Sequence, residues 1–178
     1  MHIWTAINLD SQLADLRRQA KAVSDALVAP NYALTLPLHV SLRISFPVDD
    51  AKAPSCMTMI EDILRSTAAF PMAAQHIELQ GDAVVWLGIT PSAALTRLHE
   101  TLVRHMQEAF DVPPHPFDLD FRYHASLFIG ENASAAFGRL KDAHIPPLLT
   151  ADRFVIGTSA TGRPGTYCVV REIPAHRS

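Results

Sequence analysis

One four-residue phrase, His-x-Ser-Leu, occurs twice in this chain: as His39-Val40-Ser41-Leu42 and, 85 positions later, as His124-Ala125-Ser126-Leu127. A second correspondence runs at nearly the same spacing. When residues 4–16, "WTAINLDSQLADL", are set above residues 86–98, "WLGITPSAALTRL", an offset of 82 pairs Trp4 with Trp86, Ile7 with Ile89, Leu13 with Leu95 and Leu16 with Leu98. Chance alone could align four apolar residues. Followed in the same order by a shared tetrapeptide, they mark an internal repeat. The chain is therefore expected to fold as one domain over 1–178, built from a duplicated unit with halves at about 1–80 and 81–178.

Each half reads alike. In the first, a strand near 2–9 leads into an amphipathic helix over about 11–28. Asp10 or Ser11 is placed to cap that helix, and Leu13, Leu16, Ala20 and Val23 form its apolar stripe. Asn31 marks a loop, 38–46 is the motif strand, and a helix near 54–68 opens with Pro54 and Ser55. A strand near 72–79 turns at Gly81-Asp82 into the first strand of the second half, 83–89. That half continues with a helix over about 92–110 opened by Pro91, the breaker-rich loop "DVPPHP", and a motif strand over 118–129. It ends with a short helix near 133–142 and a closing hairpin, "RFVIGTSATGRPGTYCVVREI". The fold class is α+β: two similar lobes, each a mainly antiparallel sheet backed by helices, with a cleft between them.

Side chains alternate faces along a strand. The pattern puts His39, Ser41 and Arg43 on one face of the first motif strand, with Val40, Leu42 and Ile44 on the other. In the second, Arg122, His124, Ser126 and Phe128 share a face opposite Ala125, Leu127 and Ile129. One face belongs to the core, and the other presents an imidazole and a hydroxyl about 7 Å apart along the strand. A single His-x-Ser on a strand is usually incidental, but two copies in equivalent places of a repeat call for a joint role. Two imidazoles suit the making or breaking of a phosphodiester. One, neutral, removes a proton from the attacking oxygen; the other, protonated, supplies one to the leaving oxygen, and both forms coexist near neutral pH. Ser41 and Ser126 would donate to the non-bridging phosphate oxygens. This scheme requires no metal.

Composition sets limits on the partner. The 178 residues carry 15 Lys and Arg against 18 Asp and Glu, a net charge of −3, which argues against coating long nucleic acid through a basic face. No apolar run approaches the roughly 18 residues of a membrane span, and "MHIWTAINLDSQ" does not read as a secretory signal, so a cytoplasmic location is expected. Cys56 and Cys168 offer no zinc spacing and read as free, mostly buried thiols. "HETLVRH", residues 99–105, spaces its histidines at i+6 rather than the i+4 of zinc proteases, and no metal or other cofactor is expected.

The paired motifs resemble the His-x-Thr/Ser-apolar motifs of the 2H phosphoesterase superfamily, nearest to its RNA 2′,3′-cyclic phosphodiesterase or 2′-5′ RNA ligase type. The likeness extends over nearly the whole chain, from the opening strand to the terminal hairpin. It implies a pseudo-symmetric two-lobed α+β fold with His39 and His124 facing each other in a central cleft. The chemistry it implies is opening of 2′,3′-cyclic phosphate ends or action on 2′-5′ linkages. Both motifs carry Ser where Thr is commoner in the family, which keeps the hydroxyl and loses only a rotamer-fixing methyl. The expected substrate is a small nucleotide or short RNA end carrying a cyclic phosphate, handled by a monomer. Arg43 and Arg122 are candidates for a second phosphate, and Phe128 and Tyr167 for stacking on a base. Two alternatives stay open: another small cyclic phosphodiester such as ADP-ribose 1″,2″-cyclic phosphate, or a non-catalytic module that binds nucleotides or RNA ends.

Overall fold

The N-terminal strand forms as β1 (His2–Asn8), and its alternation sorts the sheet into two faces. Ile3 and Ile7 enter the main apolar core, whereas Trp4 and Ala6 join a small separate cluster with Val155 on the opposite side. The computed structural model describes residues 1–176. After β1 come α1 (Ala14–Leu27), β2 (His39–Pro47), α2 (Ala53–Arg65), β3 (Phe70–Gln80) and β4 (Val84–Ile89). Then follow α3 (Ala93–Phe110), β5 (His124–Ile129), α4 (Ala133–Leu140), β6 (Leu148–Ala151), β7 (Arg153–Ser159) and β8 (Cys168–Pro174).

The eight strands of the described residues join one sheet in the order β6-β3-β4-β5-β2-β1-β7-β8, and every neighbouring pair is antiparallel. The order reads the same outward from the middle: a motif strand, then the strand that opens its half, then two more. The sheet mixes the sequence halves, since β3 lies beside β4 and the closing hairpin β7–β8 lies beside β1. At the centre, β2 and β5 meet through one bridge, Val40 opposite Ala125.

The helices cover one face. The stripe Leu16, Ala20 and Val23 of α1 is buried in the same core as Cys56, Ile60 and Leu64 of α2, Leu95, Leu98, Leu102 and Met106 of α3, and Ala133, Ala136 and Leu140 of α4. Two of these helices cross the central seam: α1, which follows β1, packs on β5, and α3, which follows β4, packs on β2. Each motif strand is thus backed by a helix from the other half.

Several local expectations are corrected. Leu13, not Asp10 or Ser11, is the α1 N-cap; the Asp10 carboxylate instead accepts from Leu38 N–H at 3.0 Å and Arg17 Nη1 at 2.9 Å. For α3 the cap is Ser92, the residue after Pro91, its Oγ accepting from Leu95 N–H at 3.2 Å. The second motif strand begins at His124 rather than at 118, because residues 116–118 form a 3-10 turn headed by Pro116. Strand β6 and a 3-10 turn at Tyr32–Thr35 were not foreseen. Cys56 is buried, which pushes its thiol up to about 11, but Cys168 is exposed on the edge strand β8. Among the described residues, no helix is long and apolar enough to cross a membrane.

Candidate active site

The bridge between Val40 and Ala125 sets the register at the seam. In an antiparallel pair so aligned, one step either way places His39 level with Ser126, and Ser41 level with His124. By register, each motif histidine is therefore opposite the serine of the other motif. Val40 and Ala125 are fully buried, while the four polar residues are half-buried on the face the helices leave open.

The two imidazoles are held in the same way. His39 Nδ1 lies 2.7 Å from Pro37 O, and His124 Nδ1 lies 2.6 Å from Arg122 O. A carbonyl oxygen can only accept, so Nδ1 carries the hydrogen in both rings, and Nε2 has no hydrogen-bond partner among the described residues. An indole backs each ring: Trp4 against His39 at a centroid distance of 4.7 Å, and Trp86 against His124 at 4.0 Å. The repeat-marking tryptophans are therefore part of the site, a role that sequence reasoning missed. The signal in the sequence was their matched place at the 82-residue offset; that both lie on the motif face is read from the strand pairing.

Burial lowers the pKa of both imidazoles. For His39 the hydrogen bond to Pro37 O opposes this and a positive charge on His124 adds to it. For His124 the bond to Arg122 O and the Glu78 carboxylate oppose it, and the Arg122 guanidinium adds to it.

Trp4 fits because its partner on β7 is glycine. A Cβ at Gly157 would lie 2.5 Å from Trp4 Cε2 and 2.9 Å from Cζ2. Gly157→Ala must displace the indole that supports His39. We expect a loss of about 1–3 kcal/mol from overpacking, read by denaturant unfolding, together with a lower kcat.

The secondary candidates separate. Arg122 is exposed beside His124, its guanidinium 5.2 Å from the centre of the Trp86 ring and 3.4 Å from Glu78 Oε2. Tyr167 stands edge-on to Trp4 at 6.4 Å, its hydroxyl hydrogen-bonded to Ser45 Oγ. Arg43 and Phe128 do not face the site. The two residues are 1% and 0% exposed, because a β-bulge shifts each strand directly after its serine. Thr5 and Ala6 pair with Arg43 and Ser41, skipping Leu42; Val85 and Trp86 pair with Phe128 and Ser126, skipping Leu127. Each bulge adds a residue and turns the next side chain into the core. Among the described residues, no group of three or more His, Cys, Asp or Glu converges as a metal site would.

The sequence profile of the 2′-5′ RNA ligase superfamily matches residues 7–162, which contain both motifs, the end of β1 and strands β2 to β7. The chain belongs to the 2′-5′ RNA ligase superfamily. Its fold is that of the 2H phosphoesterases, as solved structures also show. TT0787 of Thermus thermophilus aligns over 98% of this chain and 97% of its own, at a TM-score of 0.67 and 16% identity. E. coli LigT in its apo form aligns over 99% and 98%, at 0.63 and 20% identity. Usb1 of Kluyveromyces marxianus aligns over 97% of both chains, at 0.52 and 16% identity. No curated protein matches this superfamily member by sequence.

Proposed function

We propose that this superfamily member is a phosphodiesterase that opens 2′,3′-cyclic phosphate ends of nucleotides or short RNA by two-histidine acid–base catalysis. One observation carries the reading. Two histidines on one sheet face, each with Nδ1 tied to a backbone carbonyl and Nε2 without a hydrogen-bond partner among the described residues, lie by register opposite the serines of the other motif. One Nε2 takes the proton from an attacking water while the other, protonated, returns one to the departing ribose oxygen. Ser41 and Ser126 donate to the non-bridging oxygens, where charge is held in the transition state. In-line displacement needs its base and acid on opposite sides of phosphorus, which suits a pair of motifs related across a seam. Arg122, exposed beside His124, would meet a further phosphate, and Tyr167, edge-on to Trp4, would meet a base. That E. coli LigT has been solved with 3′-AMP and with phosphate supports a ligand of this kind.

The test is product analysis after incubation with 2′,3′-cyclic nucleotides and short cyclic-phosphate-ended RNA in the presence of chelator. A single monophosphate isomer, absent with His39→Ala and with His124→Ala, is the expected result. No turnover across the panel would end the reading in favour of another cyclic phosphodiester or of binding alone.

The depressed imidazole pKa values predict the pH profile. In the free enzyme one ring must be neutral and the other protonated, so kcat/KM peaks between two pKa values that both lie below the usual 6.5. Raising the pH past them removes the acid, and lowering it past them protonates the base. The bell is thus expected on the acid side of 6.5, and a plateau extending to alkaline pH would contradict it. The linked effect on stability has a definite sign. As pH falls through 6.5 the unfolded chain takes up protons that the folded rings resist, so stability present above 6.5 is lost below it.

A further inference from the structure

The two bulges beside the site leave equivalent backbone groups without a ladder partner. The skipped residues are Leu42 and Leu127, each directly after a motif serine and 85 positions apart. A bulged residue's carbonyl needs another donor when it is buried. Both carbonyls find one, and each donor comes from the other half of the chain. His99, on α3, places Nδ1 2.7 Å from Leu42 O. Asn31, in the loop before β2, donates Nδ2–H to Leu127 O at 2.9 Å, and its Oδ1 accepts from Ile129 N–H at 3.0 Å. The Asn31 amide thus continues the β5 ladder as a strand would.

Both donors are buried, with His99 4% and Asn31 9% exposed. Their surroundings leave them little freedom. The His99 ring stacks on Phe121 at 4.3 Å and stands edge-on to Tyr123 at 6.1 Å, while Asn31 Oδ1 also accepts from Ala33 N–H at 3.0 Å. The need for such braces follows from the sheet itself. Elsewhere neighbouring strands are held by runs of paired residues, but β2 and β5 share the one bridge at Val40 and Ala125. The spacing of His39 and Ser41 from His124 and Ser126 therefore rests on what crosses the seam beside that bridge.

We propose that His99 and Asn31 are positioning residues for the reaction. By holding the bulged carbonyls of Leu42 and Leu127 from across the seam, they fix the separation and pitch of the two motifs. The proposal rests on the two-histidine reading above. Neither residue touches the substrate. A loss of this hold displaces Ser41 and Ser126 by their adjacent peptide groups, and a misplacement of about 1 Å costs as much as 10²-fold in rate.

Two polar substitutions separate positioning from folding. In His99→Asn the amide nitrogen takes the place of Nδ1 and still reaches Leu42 O. In His99→Gln it lies one carbon farther out, where Nε2 was. Both remove the imidazole, so any change in charge is common to the two. Melting midpoints establish that each is folded, and Asn31→Ala provides a second variant on the other carbonyl. Three quantities are compared: kcat, KM for a 2′,3′-cyclic nucleotide, and the NMR titration midpoints of the His39 and His124 imidazoles.

His99→Gln and Asn31→Ala are expected to lower kcat by about 10- to 100-fold with KM changed little, and to shift both titration midpoints. His99→Asn is expected to stay near the wild type in all three. Folded His99→Gln and Asn31→Ala proteins with wild-type kcat and wild-type midpoints would overturn the proposal. So would an equal loss in His99→Asn and His99→Gln. If the wild type itself turns over no cyclic phosphate, the functional reading fails and the titrations alone decide: midpoints moved by His99→Gln but not His99→Asn uphold the brace, and any other pattern removes it.

Discussion

Replacing either His39 or His124 with alanine is expected to reduce turnover by about 10²- to 10⁴-fold, measured as initial rates on a 2′,3′-cyclic nucleotide with melting midpoints close to the wild type. The size follows from what each ring supplies. Without the base, water must attack with its proton still bound; without the acid, the ribose oxygen must leave as an alkoxide. Both steps belong to one displacement at phosphorus, so the double variant should be little worse than either single one. Folding is expected to survive because both rings are half-buried and rest on tryptophans that the substitution leaves in place. Ser41→Ala and Ser126→Ala should each cost about 10²-fold, the loss of one donor to the charged oxygens. Near-wild-type rates from both histidine variants would remove the mechanism.

The parts of the fold legible in the sequence are those that rest on local period. Helices α1 to α4 and the alternation from His39 to Leu42 and from His124 to Leu127 are all written in neighbouring residues. Arg43 and Phe128 were misplaced because alternation was carried one step too far. A bulge leaves no mark on the composition of its own strand, and it is read only against the partner strand's register. Arg43 made the error natural, since a guanidinium is rarely buried, and its carboxylate partner Asp118 is distant in sequence. Strand pairing was likewise beyond local reading. Nothing near residues 70–80 says that β3 joins β4 on one side and β6 on the other, or that the closing hairpin returns to β1. His99 gave no local sign of its role for a similar reason: its partner is the backbone of a strand 57 residues away.

Breaking the buried pair between Arg43 and Asp118 is expected to cost about 3–5 kcal/mol of stability, the largest single-site effect on folding foreseen for this protein. Arg43 Nη1 lies 2.9 Å from Asp118 Oδ2, and both side chains are 2% exposed. Arg43 Nη2 also donates to Pro113 O at 3.1 Å, and Asp118 Oδ2 accepts from His115 N–H at 2.6 Å. The pair therefore ties β2, one residue past its bulge, to the loop that delivers β5. Arg43→Met leaves the Asp118 carboxylate buried without its guanidinium, facing His99 Nε2 at 4.0 Å and the His115 N–H, and the loss of that charge partner is the main source of the cost. The second motif strand shows what such a position tolerates. There the residue directly after the bulge is Phe128, an apolar side chain packed in the core. Adding Asp118→Leu to Arg43→Met should therefore recover much of the stability in denaturant unfolding, because the orphaned charge is removed and an apolar residue already serves at the matching site. A double variant no more stable than Arg43→Met alone would place the cost in the lost ties to Pro113 and His115, and hence in the loop rather than in the buried charge.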